Sequence, residues 1–180
     1  MTPVFILSLP RSRTAWLATF FCHGDTYAFH EGLIQCSSVS ELKDLMEETG
    51  KAVVVNSDCG NVLFLDEIRR TFPQAKYIVI ERPYEEVAQE LENMGVPDQG
   101  EVVLSMHKLE EAKEILKPLV IQYHALNEEA CEAMCEYIGI PFDKRRWEML
   151  DGMDIKLIWE KKIKYMTDNA VRIATLVGGL

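Results

Sequence analysis

Three short, mostly apolar runs punctuate the first half of the chain: residues 4–9, 52–56 and 77–80. Each is rich in β-branched or large side chains and too short for a buried helix. Such runs predict strands whose two faces are both covered. Residues 27–29 predict a shorter fourth strand. Helical periodicity fills the gaps. Residues 14–22 follow the first strand directly. Residues 38–48 open with Ser38-x-x-Glu41, the spacing of a capping box. Residues 62–72 carry Leu63, Leu65, Ile68 and Phe72 on an apolar side, with Asp66 and Arg70 placed to pair at i,i+4. Residues 84–94 follow the third strand. Strand–helix alternation of this kind predicts a parallel sheet with right-handed crossovers.

After Gly95 the pattern changes. Pro97 and Gly100 mark a loop, and Asp98-x-x-Glu101 begins a mainly helical half. Pro118 breaks or kinks that half, because it lacks an N–H and clashes with the preceding turn. Residues 128–138 form an amphipathic helix closed by Gly139 and Pro141. Asp143 caps a further helix through Leu150. In the tail, residues 155–159 are compatible with a strand and 161–177 with a helix. The expectation is one α/β domain over residues 1–180. It would be three layers, α/β/α, around a parallel sheet of about 4–5 strands. Residues 1–94 form its strand–helix half and 95–180 its helical half.

The length of 180 residues suits a single core. The formal net charge of −10 argues against a broad nucleic-acid footprint, which needs clustered cations. It leaves room for a small anion held by a few Arg residues and backbone N–H groups. The five cysteines are odd in number and loosely spaced, as in reduced thiols. Cys131 and Cys135 share a helix face without a nearby His, so no metal is expected. No stretch approaches the ~20 apolar residues of a membrane span, and the apolar N-terminal run is too short for a signal segment. The expectation is a cytoplasmic protein without a membrane or nucleic-acid partner.

The chemistry concentrates in Pro10-Arg11-Ser12-Arg13-Thr14-Ala15-Trp16-Leu17, where the first strand turns into a helix. Open α/β sheets bind ligands beyond the carboxyl ends of their strands. A helix N-terminus there offers free N–H groups and the positive end of its dipole. Arg11 and Arg13 add forked donors suited to phosphate or sulfate, and Ser12 and Thr14 add hydroxyls. The plainer alternative is that Ser12 or Thr14 merely caps the helix. The loop lacks the Gly and Lys of G-x-x-x-x-G-K-[ST], so a standard ATP or GTP hydrolase is not expected.

These residues resemble the sulfotransferase family, P-loop-like enzymes that use 3′-phosphoadenosine-5′-phosphosulfate (PAPS). The family's first loop reads approximately P-[KR]-S-G-T-[TS]-W-L; five of the eight positions agree strictly here, and Arg11 is an accepted variant. Phe29-His30-Glu31-Gly32 is similar to the F-H-E-P stretch of carbohydrate-type members. Residues 72–83 resemble the F-P-x-A-K-[hydrophobic]-x-R-x-P run, and residues 137–143 the F-L-G-[IL]-P-x-D segment. The resemblance spans residues 3–150 and implies a P-loop NTPase-like fold.

It further implies that Arg11, Ser12, Arg13 and Thr14 hold the 5′-phosphosulfate, that Arg82 contacts the 3′-phosphate, and that no metal is needed. Sulfuryl transfer to a hydroxyl or amine, on a small molecule or carbohydrate, would then proceed by in-line displacement. Arg11 would stabilise the migrating group, and Glu31 would be the general base, with His30 as its orienting or alternative partner. Asp58 is a third candidate base and also a good N-cap. The chain departs from the family at two positions. Arg13 stands where the family has a Gly that permits positive φ. Glu90 stands where it has a Ser on the 3′-phosphate, and a carboxylate facing a phosphate is repulsive unless a cation intervenes. Two other readings stay open: a non-catalytic nucleotide- or anion-binding module, and a phosphotransferase using another nucleotide with Mg²⁺.

His107 and His124 fall in helical patterns and read as packed or surface side chains. Lys144, Arg145 and Arg146 read as a solvated helix face. Trp16, Trp147 and Trp159 read as packing anchors.

Overall fold

Residues one apart on a strand point to opposite faces, and in the central strand both faces are buried. In the computed structural model, which describes residues 1–96 and 100–153, β1 (Thr2–Ser8) sends Val4 and Ile6 into one apolar cluster and Phe5 and Leu7 into another. β3 (Val53–Ser57) and β4 (Lys76–Glu81) divide in the same way, with Val55 and Ile78 on the first side and Val54 and Val79 on the second. β2 (Thr26–His30) and β5 (Leu119–Gln122) lie at the edges. The sheet is parallel throughout in the order β2-β3-β1-β4-β5.

The helices follow from the handedness rule. The connection from β1 to β2 runs toward one edge, whereas those from β2, β3 and β4 run toward the other. Right-handed crossovers must then put the helix of the first connection on one face and those of the other three connections on the opposite face. The clusters agree. α1 (Thr14–Phe21) packs on the Val4 side, together with α6 (Glu128–Ile138) and α7 (Lys144–Asp151). On the Phe5 side lie α2 (Val39–Glu48), α3 (Leu65–Thr71), α4 (Tyr84–Asn93) and α5 (Gly100–Leu116). The three-layer α/β/α architecture read from the sequence is the one observed.

Local signals set the boundaries. Ser38 accepts from the Glu41 N–H at 3.1 Å, and Glu41 reaches back to the Ser37 N–H at 2.6 Å. Asp143 caps α7 through the Arg146 N–H at 3.0 Å. Gly139 ends α6 with φ 86°, a conformation that costs a residue with a Cβ.

Four details differ from the sequence reading. β5 was not expected: it follows Pro118, and α5 ends at Leu116. The helix expected over residues 62–72 divides into a 3₁₀ turn, Cys59–Val62, and α3, which begins only at Leu65. Asp66 meets Arg69 at 3.8 Å, the i,i+3 partner, rather than Arg70. Arg146 is not a solvated cation. It donates to the carbonyls of Phe20 at 2.9 Å and Cys22 at 3.2 Å, and also to Thr19, and so satisfies the orphan carbonyls that end α1. The expectations at Asp98, at Trp159 and over residues 155–177 lie outside the described residues.

The thiols divide by burial. Cys131 and Cys135 are buried within α6, and burial pushes both up to about 12. Cys22 is exposed. Only a thiolate attacks an alkylating reagent. Iodoacetamide on the native protein at pH 8 should therefore modify Cys22 and spare Cys131 and Cys135, read by peptide mass mapping. Equal labelling of all three would contradict this packing.

Candidate functional site

The strand register brings one set of residues level at the carboxyl edge of the sheet. His30 pairs with Ser57, and Ser57 with Ile6 of β1; Ser8 pairs with Ile80, just before Arg82. β1 and β4 are neighbours whose onward connections leave in opposite directions. The loop after β1 therefore sits at a topological switch point, where such sheets form a crevice.

That loop has an unusual backbone. Arg11 and Arg13 are left-handed, with φ 64° and 60°, and so is Glu31, with φ 57°. Among the described residues only Lys117 shares this conformation without being Gly. Each such residue costs roughly 1–2 kcal/mol. Three of the four lie at this one edge, a concentration typical of functional sites. Arg13 thus takes the very conformation for which a Gly would be the usual choice.

Arg13 is also the N-cap of α1 and supplies no side-chain acceptor. The first-turn N–H groups of Thr14, Ala15 and Trp16 have no carbonyl partner within the helix, and the dipole there favours an anion. The helix start is anchored from β3, whose buried Ser57 hydroxyl donates to the Thr14 carbonyl at 2.9 Å. The Arg13 guanidinium lies 4.6 Å from the Trp16 ring centre, a cation–π contact that draws its charge back over α1.

The other two arginines are clasped together. Glu90, on α4, accepts from Arg11 Nε at 2.7 Å through Oε1 and from Arg82 Nη1 at 2.8 Å through Oε2. Arg82 also donates to the Arg11 carbonyl, lies 3.5 Å from Glu86 and stacks 4.3 Å from the Tyr123 ring centre. Glu86 in turn meets His124 at 2.8 Å. Burial pushes the Glu90 carboxyl up, but the hydrogen bonds and charges of Arg11 and Arg82 outweigh it and hold the group below its ordinary value. The Glu86 carboxyl is also lowered, first by its bond to His124. The cation that a carboxylate at position 90 requires is present twice.

On the other side of the loop, His30 Nε2 is 3.2 Å from the Thr14 hydroxyl, and Glu31 Oε1 is 4.0 Å from the same nitrogen. Strand alternation would separate neighbouring side chains, but the left-handed turn at Glu31 breaks it and keeps both carboxyl-edge groups near the start of α1. Gly32 permits this turn. A Cβ there would lie 2.5 Å from Asn56 Oδ1, and the Gly32 N–H donates to that same oxygen at 3.0 Å. Asn56 and Asn61 are both fully buried and bonded at 2.7 Å. Asn61 also donates to the Ile6 and Asn56 carbonyls, each at 3.0 Å. This network fixes the backbone beneath Glu31.

Asp58 is engaged elsewhere. Its two oxygens accept from the Gly60 N–H at 2.7 Å and the Leu33 N–H at 3.2 Å, tying two turns together. Burial pushes its carboxyl up, and those two N–H bonds pull it part of the way back. It serves as the cap that its position before Gly60 suggested.

The structure therefore brings Arg11, Ser12, Arg13, Thr14, His30, Glu31 and Arg82 to one edge. Ser12 is buried beneath the loop, 3.5 Å from the Pro10 carbonyl. Sequence reasoning missed Ser57, and it singled out Glu90 without finding the clasp that Glu90 makes. Ser57 carries no signal in the sequence. Glu90 does: Arg82, Glu86 and Glu90 are four apart, the spacing that stacks side chains on one helix face. Two surface concavities, on α6 and beside Phe72 and Tyr77, lie away from this edge. The chemistry rather than the concavity marks the site. Among the described residues no cluster of His, Cys, Asp and Glu could hold a metal ion, and no helix is long and apolar enough to cross a membrane. No family model and no curated protein matches the chain.

Proposed function

We propose that this protein transfers a sulfuryl group from a nucleoside 5′-phosphosulfate to a hydroxyl or amine acceptor. The observation that carries the reading is the left-handed Arg11–Arg13 loop, which ends in an uncapped helix start at the switch point of a parallel sheet. The order of motifs shared with the sulfotransferases supports it. The loop fits a terminal phosphosulfate: it offers N–H donors, the helix dipole and the remaining donors of Arg11. The resemblance names PAPS as the donor. Its second phosphate fits less well, because Arg82 already lies between Glu86 and Glu90.

In this reading the acceptor sits beside the start of α1, against the Glu31 carboxylate. The Glu31 carboxylate takes the proton from the acceptor while the acceptor oxygen or nitrogen bonds to sulfur. The bond from sulfur to the phosphate oxygen breaks, and the nucleotide leaves with that oxygen. The first-turn N–H groups hold the leaving phosphate, and Arg11 balances charge on the migrating group. His30, bonded to Thr14, orients the carboxylate against the loop. A second reading, a nucleotide-binding module without turnover, is favoured by the clasp itself, since Glu90 neutralises part of the charge on Arg11 and Arg82.

The separating experiment uses ³⁵S-labelled adenosine 5′-phosphosulfate, with and without a 3′-phosphate, against a panel of phenols, alcohols, sugars and amines. The expected result is transfer by the wild-type protein that falls by about 10²–10⁴-fold in Glu31→Gln, the usual contribution of a general base. Nucleotide binding without transfer to any acceptor would favour the second reading.

A further inference from the structure

The site's charges can be counted along the carboxyl edge. Arg11, Arg13 and Arg82 supply the cations, and Glu86 and Glu90 lie against Arg82 at 3.5 and 2.8 Å. One anionic group on the ligand is provided for by the helix start and Arg11. A second, reaching across from the loop toward β4, comes next to Arg82, whose Nη1 already donates to the Arg11 carbonyl. That guanidinium is flanked by two carboxylates. A phosphate there brings about −1.5 to −2 charges and would meet the Glu90 carboxylate at close range.

A hydroxyl meets the opposite situation. An ionised carboxylate has about four lone-pair sites. Arg11 occupies one on Oε1 and Arg82 one on Oε2. Each oxygen keeps one for a further donor, and the side chain is 32% exposed. Acidic residues that bind ribose do so by accepting from its hydroxyls.

We infer that the nucleotide taken by this site carries free ribose hydroxyls rather than a 3′-phosphate, and that Glu90 is the residue that makes the distinction. The inference rests on the nucleotide-binding reading proposed above and refines its donor to the form without a second phosphate. Glu90 acts in two ways at once. It accepts from the sugar, and it holds Arg11 and Arg82 at a fixed separation beside the loop.

The test is calorimetric titration of the wild-type chain with adenosine 5′-monophosphate and with adenosine 3′,5′-bisphosphate, repeated on Glu90→Gln and Glu90→Ser. The wild type should bind the monophosphate at least about tenfold more tightly than the bisphosphate. Both variants should shift that ratio at least about tenfold toward the bisphosphate, because the repulsive charge is gone. Circular dichroism reports whether each variant folds, and the wild-type ratio alone decides the first half of the test. Wild-type preference for the bisphosphate, or a ratio unmoved in both folded variants, overturns the inference and leaves the nucleotide site standing. Binding of neither nucleotide by the folded wild type overturns both.

Discussion

Trp16→Ala is expected to lower the unfolding free energy by about 3–5 kcal/mol, the usual cost of truncating a large buried aromatic. Trp16 is 2% exposed and stacks on Phe20 with ring centres 5.4 Å apart. Its indole N–H donates to the Leu150 carbonyl at 2.9 Å, joining the first helix to the last described one across 134 residues. The substitution removes packing and one of that carbonyl's donors, leaving it the Met153 N–H at 2.9 Å. Trp16→Phe keeps most of the packing and loses only the hydrogen bond, so it should cost about 1 kcal/mol from that source. Urea unfolding followed by circular dichroism measures both. A loss below about 1.5 kcal/mol for the Ala variant would mean that α1 is not the anchor described. Since α1 also begins at the loop, the Ala variant should weaken nucleotide binding through loop disorder as well as through stability.

Arg82→Ala should weaken nucleotide binding by about 10–100-fold, the equivalent of one or two charge-assisted hydrogen bonds. Arg82 has little exposure and many partners: the Arg11 carbonyl, Glu90, Glu86 and the Tyr123 ring. Removing it leaves Glu90 with Arg11 alone and frees the left-handed turn at Arg11. A change under about threefold would show that the clasp does not shape the site. The clasp also has a pH signature. Its glutamate is held below the ordinary value, near 4.3 for an unperturbed glutamate. Such a group adds stability above its unfolded pKa and loses it as pH falls through the folded one. The stability gap between wild type and Arg82→Ala should therefore be full at pH 6 and narrow as pH falls below about 4, leaving the part due to the Arg11 carbonyl and the Tyr123 ring. A gap independent of pH would remove Glu90 as its source.

The layered fold was legible because fully buried strands announce themselves as unbroken apolar runs, and β1, β3 and β4 are of that kind. β5 was not legible. It has four residues, only Ile121 is buried, and Pro118 precedes it, so it reads as the end of a helical stretch. The cap residues Ser38, Asp58 and Asp143 were legible because capping depends on neighbours a few residues away. The clasp was only half legible. Glu90 stood out as a charge out of place, but its bond to Arg11 spans 79 residues and depends on the sheet order. The left-handed backbone at Arg11 and Glu31 gives no sign in the sequence, and at Arg13 the sign is only the Gly that the resembling family has there. The role of Arg146 was hidden for the same reason as the Glu90–Arg11 bond, since its partners at the end of α1 lie more than 120 residues away.

The central claim is that an anionic nucleotide group binds at the start of α1. Amide chemical-shift mapping of the ¹⁵N-labelled chain during titration with adenosine 5′-monophosphate tests it most directly. The account expects the largest shifts at Ser12, Arg13, Thr14, Ala15 and Trp16, with smaller ones at Arg82 and Glu31, all saturating together. Shifts centred elsewhere, or none at millimolar nucleotide in a folded sample, would contradict it.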